Sequence, residues 1–531
     1  MVNIKELLVQ GEKATFEAKK AEGGLPKSFW ESYAAFANTN GGIIALGVEE
    51  TAAHELVAVG VKDPERMIKD IWNGANNPHM ASANVLFEEH VYAQAYDGVD
   101  LVIVEVPRAD RHDKPVFIRG NVLTGTYRRN GDGDYRCTRE LINGMMRDAG
   151  DTPVDATVLE EMSLEDLEAE SVNAYRTIFR QLKEGHVWNK LNDAEFLAKI
   201  GAARRGSDGK LHPTRAGLLC FGNFVNIIEE FPNYFLDYRE RLGGPALRWS
   251  DRVCSGDAYW SGNIIDFYFR VNNKISSGLK RPFKLDGRMF RVDDTPLHKS
   301  MREALANMLI HADYFGQRGL VIDKFADRVV LSNPGNVRVG VSVAVGGGIS
   351  DARNAKIFNI FSLIDIGERA GSGLCNLYEM WRDAGLAKPK FSESFVPDRT
   401  ELVLPLLPAD ERKAEEWAQK WAQNLGSEPI DKLNEPIFNF YGPIAEPNKP
   451  SELNKRAQSG QLSENNPAAE NSEQALLALL KKKPDMTRLG MAEELNVSLA
   501  TIKRMIVGLK SAGRLTRQGD NRNGKWIVSD I

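Results

Sequence analysis

The stretch AFANTNGGIIALGVEE, residues 35–50, constrains this chain more than any other. An Ala/Phe-rich helical run meets Asn38 and the Gly41-Gly42 pair, and both residue types end helices. Ile43 to Val48 then contains no polar side chain, the pattern of a short strand buried on both faces. The sequence therefore predicts a helix turning straight into a central strand. Packing explains the glycines but not Glu49 and Glu50, two carboxylates where that strand leaves the core.

The chain has 531 residues, enough for roughly three or four domains by length alone. No apolar run reaches the roughly 18 residues a membrane span needs, and MVNIKELLVQGEK lacks the apolar core of a signal peptide, so a cytoplasmic protein without a membrane partner is expected. Cys137, Cys220, Cys254 and Cys375 show neither zinc nor disulfide spacing. The net charge of −5 argues against a basic surface over the whole protein, whereas Ser472–Ile531 holds eleven Lys and Arg against six Asp and Glu. A nucleic-acid partner is expected at that end or at a local patch.

Alternation of helical and strand patterns over 1–150 predicts an α+β unit: helix IKELLVQ, strand TFEAKK, helix LPKSFWESYAAFAN, strands GGIIALGV, HVYAQAY and DLVIVEVP, a GTYRRNGDGDYRC hairpin, and a closing helix TRELINGMMRDA. Residues 151–292 read as an α-rich connecting region. A second α+β unit over 293–408 has the helix PLHKSMREALANMLIHADY, a hairpin ending LSNPG, a glycine-rich stretch and a last strand RTELVLPL. A helix from Asp410 to about Asn424 and a Pro/Ser/Asn-rich linker fill 409–471, the linker too polar to build a core. Three short helices and a hairpin over 472–531 match a winged helix-turn-helix. The fold class is multi-domain α+β.

In GEKATFEAKKA, side chains alternate across a strand, so Glu17 and Lys19 share a face. With Glu12 and one of Glu49 and Glu50, these residues have the composition of a phosphodiester-cleaving site: carboxylates for a hard divalent cation and an ammonium near the phosphate. By pattern alone an ion-paired strand face describes them as well. The run GEKATFEAKKA, then AFANTNGGIIALGVEE, then YRRNGD with its closing helix, resembles the Schlafen/AlbA-like nucleic-acid-binding domain over 1 to about 150. The resemblance implies a metal-dependent RNase whose acidic residues fall at Glu12, Glu17 and one of Glu49 and Glu50, with Glu50 chosen, and Mg²⁺ or Mn²⁺ as the metal. Ala18 stands where the family has an aromatic. Arg128, Arg129 and Arg139 are candidates for phosphate contacts.

Glu303, Asn307 and His311 lie at i, i+4 and i+8 in REALANMLIHADY, hence on one helix face. An Asn beside a Glu can hold Mg²⁺ while the carboxylate orients a water. With GERAGSGL downstream, the segment from about Pro296 to Leu407 resembles a divergent GHKL-type ATP-binding domain, an α/β sandwich. The resemblance implies ATP as ligand, Glu303 as catalytic carboxylate, Asn307 as magnesium ligand, His311 on the same face, and Gly371 and Gly373 in a glycine box. Asn333-Pro334-Gly335 replaces the superfamily's Asp-x-Gly, whose Asp reads adenine.

In the C-terminal unit Ser498 is a natural N-cap for a helix carrying Lys503, Arg504 and Lys510, with Arg517, Arg522 and Lys525 on the wing. Such residues hold phosphates rather than read bases; a protein-interaction module has the same pattern. The leading expectation is a nucleotide-regulated RNase acting on a transfer-RNA-type substrate, with weak ATPase activity, in stress or phage defence. The alternative is an ATP-responsive DNA-binding transcriptional regulator without nuclease activity. A homodimer is an expectation of the resemblance alone.

Overall fold

The computed structural model describes residues 2–242, 248–277, 279, 295–367, 373–410, 412–415 and part of 476–528. The chain divides into two units, Met1–Ser427 and Glu428–Ile531.

The first unit begins with a four-stranded sheet in the order Phe16–Lys19, Gly42–Leu46, Val99–Val106, Val91–Tyr96. The first two strands run parallel and place Glu17 opposite Ile44 and Lys19 opposite Leu46. Helix Phe29–Ala37 is buried on nearly every side, as its Ala and aromatic composition requires. Its end is built as the sequence predicts, with a further device. Asn38 is fully buried, and its amide donates to the carbonyls of Val116 and Tyr127 at 2.7 and 2.9 Å while its oxygen accepts from Val116 N–H at 2.8 Å. Asn38 thus fastens the helix end to the loop before the Tyr127–Asn130/Gly133–Arg136 hairpin. Gly41 has a φ of +76°, and a Cβ there would stand 2.7 Å from the Val106 carbonyl oxygen, so only glycine fits. Helix Pro64–Ala75, capped by Asp63, is an element the sequence reading passed over.

A second, six-stranded sheet runs in the order Asp251–Cys254, Leu236–Arg241, Leu320–Phe325, Arg328–Pro334, Asp398–Pro405, Lys390–Phe395. All neighbours are antiparallel except Leu236–Arg241, which pairs in parallel with Leu320–Phe325. The boundary expected at 292 therefore falls inside one sheet: strands of the supposed connecting region bond to those of the 293–408 segment. The physical reason is that Leu236 and Tyr238, fully buried, share a core with Leu320 and Ile322. Helices Ile264–Ile275, Pro296–His311 and Gly373–Asp383 contribute to the same core.

In the second unit the expected hairpin is present as Leu515–Gln518 paired with Lys525–Val528. Leu476, Leu480, Met491, Ile502, Ile506, Leu509, Leu515 and Trp526 form its core. The helix expected after Asp410 is described only at 412–415; the linker, Gly371, Ser498, Lys503, Arg504, Lys510 and Arg522 lie outside the described residues. Among the described residues no helix is long and apolar enough to cross a membrane.

Candidate functional site

Helix Pro296–His311 starts cleanly, with Thr295 accepting from His298 N–H and proline in the first turn. One side of it presents Glu303, Asn307 and His311 to a pocket of about 140 Å³. Asn333 and Leu331 reach that pocket from strand Arg328–Pro334, and Thr400 and Leu402 from Asp398–Pro405. Gly373, the first residue of helix Gly373–Asp383, closes against the opposite helix: a Cβ at 373 would stand 2.6 Å from Glu303 Oε1 and 2.9 Å from Asn307 Nδ2. Glu303, Asn307, His311, Asn333 and Gly373 are thus brought together. Burial first, and then the Arg353 guanidinium, push the pKa of His311 down to about 4, so its imidazole is neutral at physiological pH.

Gly335 lies elsewhere. Its φ is +94°, and a Cβ there would press on Arg353 Nη1 at 2.6 Å, so the residue makes room for a guanidinium behind the pocket wall rather than lining the pocket. Arg353 is the centre of a buried network that sequence reasoning missed. It donates to both Asp148 oxygens at 2.9 and 2.8 Å, to the His311 carbonyl at 2.7 Å and to the Asn336 carbonyl at 2.9 Å. Arg338 donates to the Asp148 carbonyl and to Asp351, and Arg111 of the N-terminal domain also binds Asp351. Burial opposes ionisation of Asp148, but Arg353, Arg338 and Arg147 overcome it and hold its pKa below the ordinary carboxylate value.

The N-terminal carboxylates have a different character. Glu12 accepts from Ala18 N–H at 3.0 Å. Burial raises its pKa; that hydrogen bond opposes the rise, and the fields of Glu17 and Glu50 add to it. Glu17 is held by Lys19 at 2.8 Å and Arg129 at 2.7 Å. Glu49 pairs with Lys20 at 2.9 Å, whereas Glu50 pairs with His54 at 2.7 Å. Glu50, not Glu49, is the one felt by Glu12. Among the described residues no group of three or more His, Cys, Asp and Glu side chains is placed to hold a metal ion.

Arg129 donates to Asp134 and to the carbonyls of Lys13 and Phe16, pairs ionically with Glu17, and has its plane over Phe36. Its side chain is 1% exposed. Arg128 is turned away from the carboxylates, paired with Asp398 and set over Phe395.

The chain joins a Schlafen/AlbA-like domain, which supports nucleic-acid association, to an ATPase-like domain, which fits ATP binding. Residues 12–138 match the Schlafen AlbA_2 family, residues 318–403 match "ATP-dependent DNA helicase recG C-terminal", and residues 143–237 match a domain of unknown function, DUF8451. The chain is a Schlafen/AlbA-like protein with a GHKL-like ATPase domain. The recG-type match begins after helix Pro296–His311, so Glu303 and Asn307 lie outside it. No curated protein matches the chain. Among solved structures, the DIP2311 protein from Corynebacterium diphtheriae is similar at 15% identity over 99% of this chain and 98% of that one, with a TM-score of 0.36. The N-terminal domain of an ATP-dependent DNA helicase RecG-related protein from Nitrosomonas europaea is similar at 30% identity over 26% of this chain and 95% of that one, with a TM-score of 0.21.

Proposed function

We propose that this protein binds nucleic acid under the control of ATP and acts as a regulator rather than through metal-dependent cleavage at Glu12, Glu17 and Glu50. The observation that carries the reading is the shared wall. Asn336, Val337, Arg338 and Arg353 border the pocket that holds Glu303 and Asn307, and the same four residues border the seam with the N-terminal domain. A nucleotide that shifts this wall acts on both sides of it. Such a shift has effect only as far as the nucleotide binds two arrangements of the wall with different affinity.

In the pocket, Asn307 would hold Mg²⁺ together with the nucleotide's phosphates, and the metal would neutralise phosphate charge. Gly373 leaves room for Glu303 and Asn307 to approach its backbone. Glu303 is the residue to orient a water if ATP is hydrolysed, and the neutral His311 contributes a hydrogen bond, not a charge. Asn333, which lines the pocket, is the proposed reader of the base. Lys503, Arg504 and Arg522 of a C-terminal winged helix are the proposed phosphate contacts to nucleic acid, and a homodimer stays part of the proposal. The expected result is that Mg-ATP changes the affinity for a labelled oligonucleotide by about tenfold, corresponding to about 1.4 kcal/mol of coupling. Fluorescence anisotropy measures it, and the change disappears in Asn307→Ala. An affinity indifferent to ATP in the unaltered protein would overturn the proposal.

The RNase reading keeps one supporting observation, the mutual influence of Glu12, Glu17 and Glu50. It is tested by incubating the protein with total transfer RNA and Mg²⁺ or Mn²⁺ beside Glu12→Ala/Glu17→Ala. The regulator reading expects intact RNA in every lane. Cleavage present in the unaltered protein and lost in the double variant would replace it with the nuclease reading.

A further inference from the structure

Behind the nucleotide pocket, across its shared wall, lies a smaller cleft of about 50 Å³ between the Schlafen/AlbA-like domain and the ATPase domain. Six cationic side chains border it, Arg108, Arg111, Lys114, Arg128, Arg338 and Arg353, against the carboxylates of Asp148, Asp313 and Asp398. Each arginine has a carboxylate partner: Arg108 with Glu393, Arg111 with Asp351, Arg128 with Asp398, Arg338 with Asp351, and Arg353 with Asp148. Lys114 has none among the described residues. Its ammonium meets only the Asn38 carbonyl, at 3.5 Å. Burial, and then the like charges of Arg108 and Arg128, drive its pKa well below the ordinary lysine value.

A second, independent sign points the same way. Among the described residues, the Nε atoms of Arg108, Arg128 and Arg338 are buried without a hydrogen-bond partner, and all three residues border this cleft. Arg128 is only 8% exposed. Buried N–H donors are normally satisfied, and leaving one unmade costs about 1–3 kcal/mol. A concentration of such donors beside a lysine that has no ion-pair partner among the described residues, though the fields of Glu393 and Asp398 reach it, describes a site built for an anion. Guanidinium forks and a compact ammonium suit the tetrahedral oxygens of phosphate.

We propose that this cleft is a second anion site that takes a phosphate group, held between Lys114, Arg108 and Arg128 of the N-terminal domain and Arg338 of the ATPase domain. Because the donors come from both domains, an occupant draws the two together. The group arrives as free phosphate or as the terminal phosphate of a nucleic-acid strand.

The test uses the full-length protein without nucleotide. Titration with inorganic phosphate at constant ionic strength should raise the melting midpoint saturably in the unaltered protein and in Gly373→Ala, and phosphate affinity should fall at least tenfold in Lys114→Met and Lys114→Gln. Should both lysine variants fail to fold, broadening of the ³¹P resonance of phosphate by the unaltered protein and by Gly373→Ala reads the same site. A 5′-phosphorylated oligonucleotide that competes with phosphate, where its 5′-hydroxyl twin does not, identifies a strand end as the source. Equal behaviour of the two identifies free phosphate, and both outcomes support the site. The proposal fails if no saturable shift or broadening occurs, if the lysine variants respond as the unaltered protein does, or if Gly373→Ala abolishes the response, which would assign the phosphate to the nucleotide pocket.

Discussion

Gly373→Ala is expected to abolish stabilisation by Mg-ATP while leaving the unliganded protein folded. The added methyl would stand 2.6 Å from Glu303 Oε1 and 2.9 Å from Asn307 Nδ2. Both are the far ends of flexible side chains, so they swing aside at little cost to packing. The helix itself gains slightly, because alanine favours a helix over glycine by about 1 kcal/mol in its interior and by less in its first turn. What is displaced is the pair of groups proposed to hold water and magnesium. A thermal melt with and without Mg-ATP separates the two effects: the unaltered protein shifts upward, the variant does not, and the two unliganded midpoints agree closely. A full ATP shift in the variant would sink the assignment of this pocket.

Arg353→Met should be the most destabilising single change near the site, at about 3–5 kcal/mol, the usual cost of removing one partner from a buried ion pair. Its loss leaves Asp148 without its two-pronged partner and the carbonyls of His311 and Asn336 without a donor. Urea unfolding of the full chain, followed by tryptophan fluorescence, measures the loss. Adding Asp148→Leu to that background should restore part of it, since the orphaned carboxylate goes too. The pH dependence has a definite sign. Asp148 titrates below its unfolded value, so its contribution is complete above about pH 4 and is lost as the pH falls through its folded pKa. Arg353→Met should flatten that acid-side decline.

Periodicity and turn chemistry made most of the N-terminal domain legible, because its strands alternate or run wholly apolar and its turns carry glycine. The same reasoning grouped Glu303, Asn307 and His311, since helical spacing is a local property. It did not separate Asn38's role as a three-bond clip from simple helix capping, because its partners are the distant Val116 and Tyr127. The ion pairing of Glu17 was hidden for a similar reason. Besides Lys19, Glu17 pairs with Arg129, more than a hundred residues away, and that pairing was invisible in the sequence. The network around Arg353 was missed entirely, since none of Arg353, Asp148 and Arg338 stands in a motif. Strand order across residue 292 was equally hidden, because a parallel pairing leaves no turn signature between its partners.

That parallel pairing bears on how the protein can be divided. A fragment starting at 293 would lose Leu236–Arg241 and expose the whole length of Leu320–Phe325 as an unpaired edge. Leu320 and Ile322, buried in the intact chain, would sit on that edge beside open backbone N–H and C=O groups. Such an edge recruits strands from other molecules. An isolated ATPase domain cut at the apparent boundary would therefore aggregate for want of a strand, and its insolubility would say nothing about nucleotide binding.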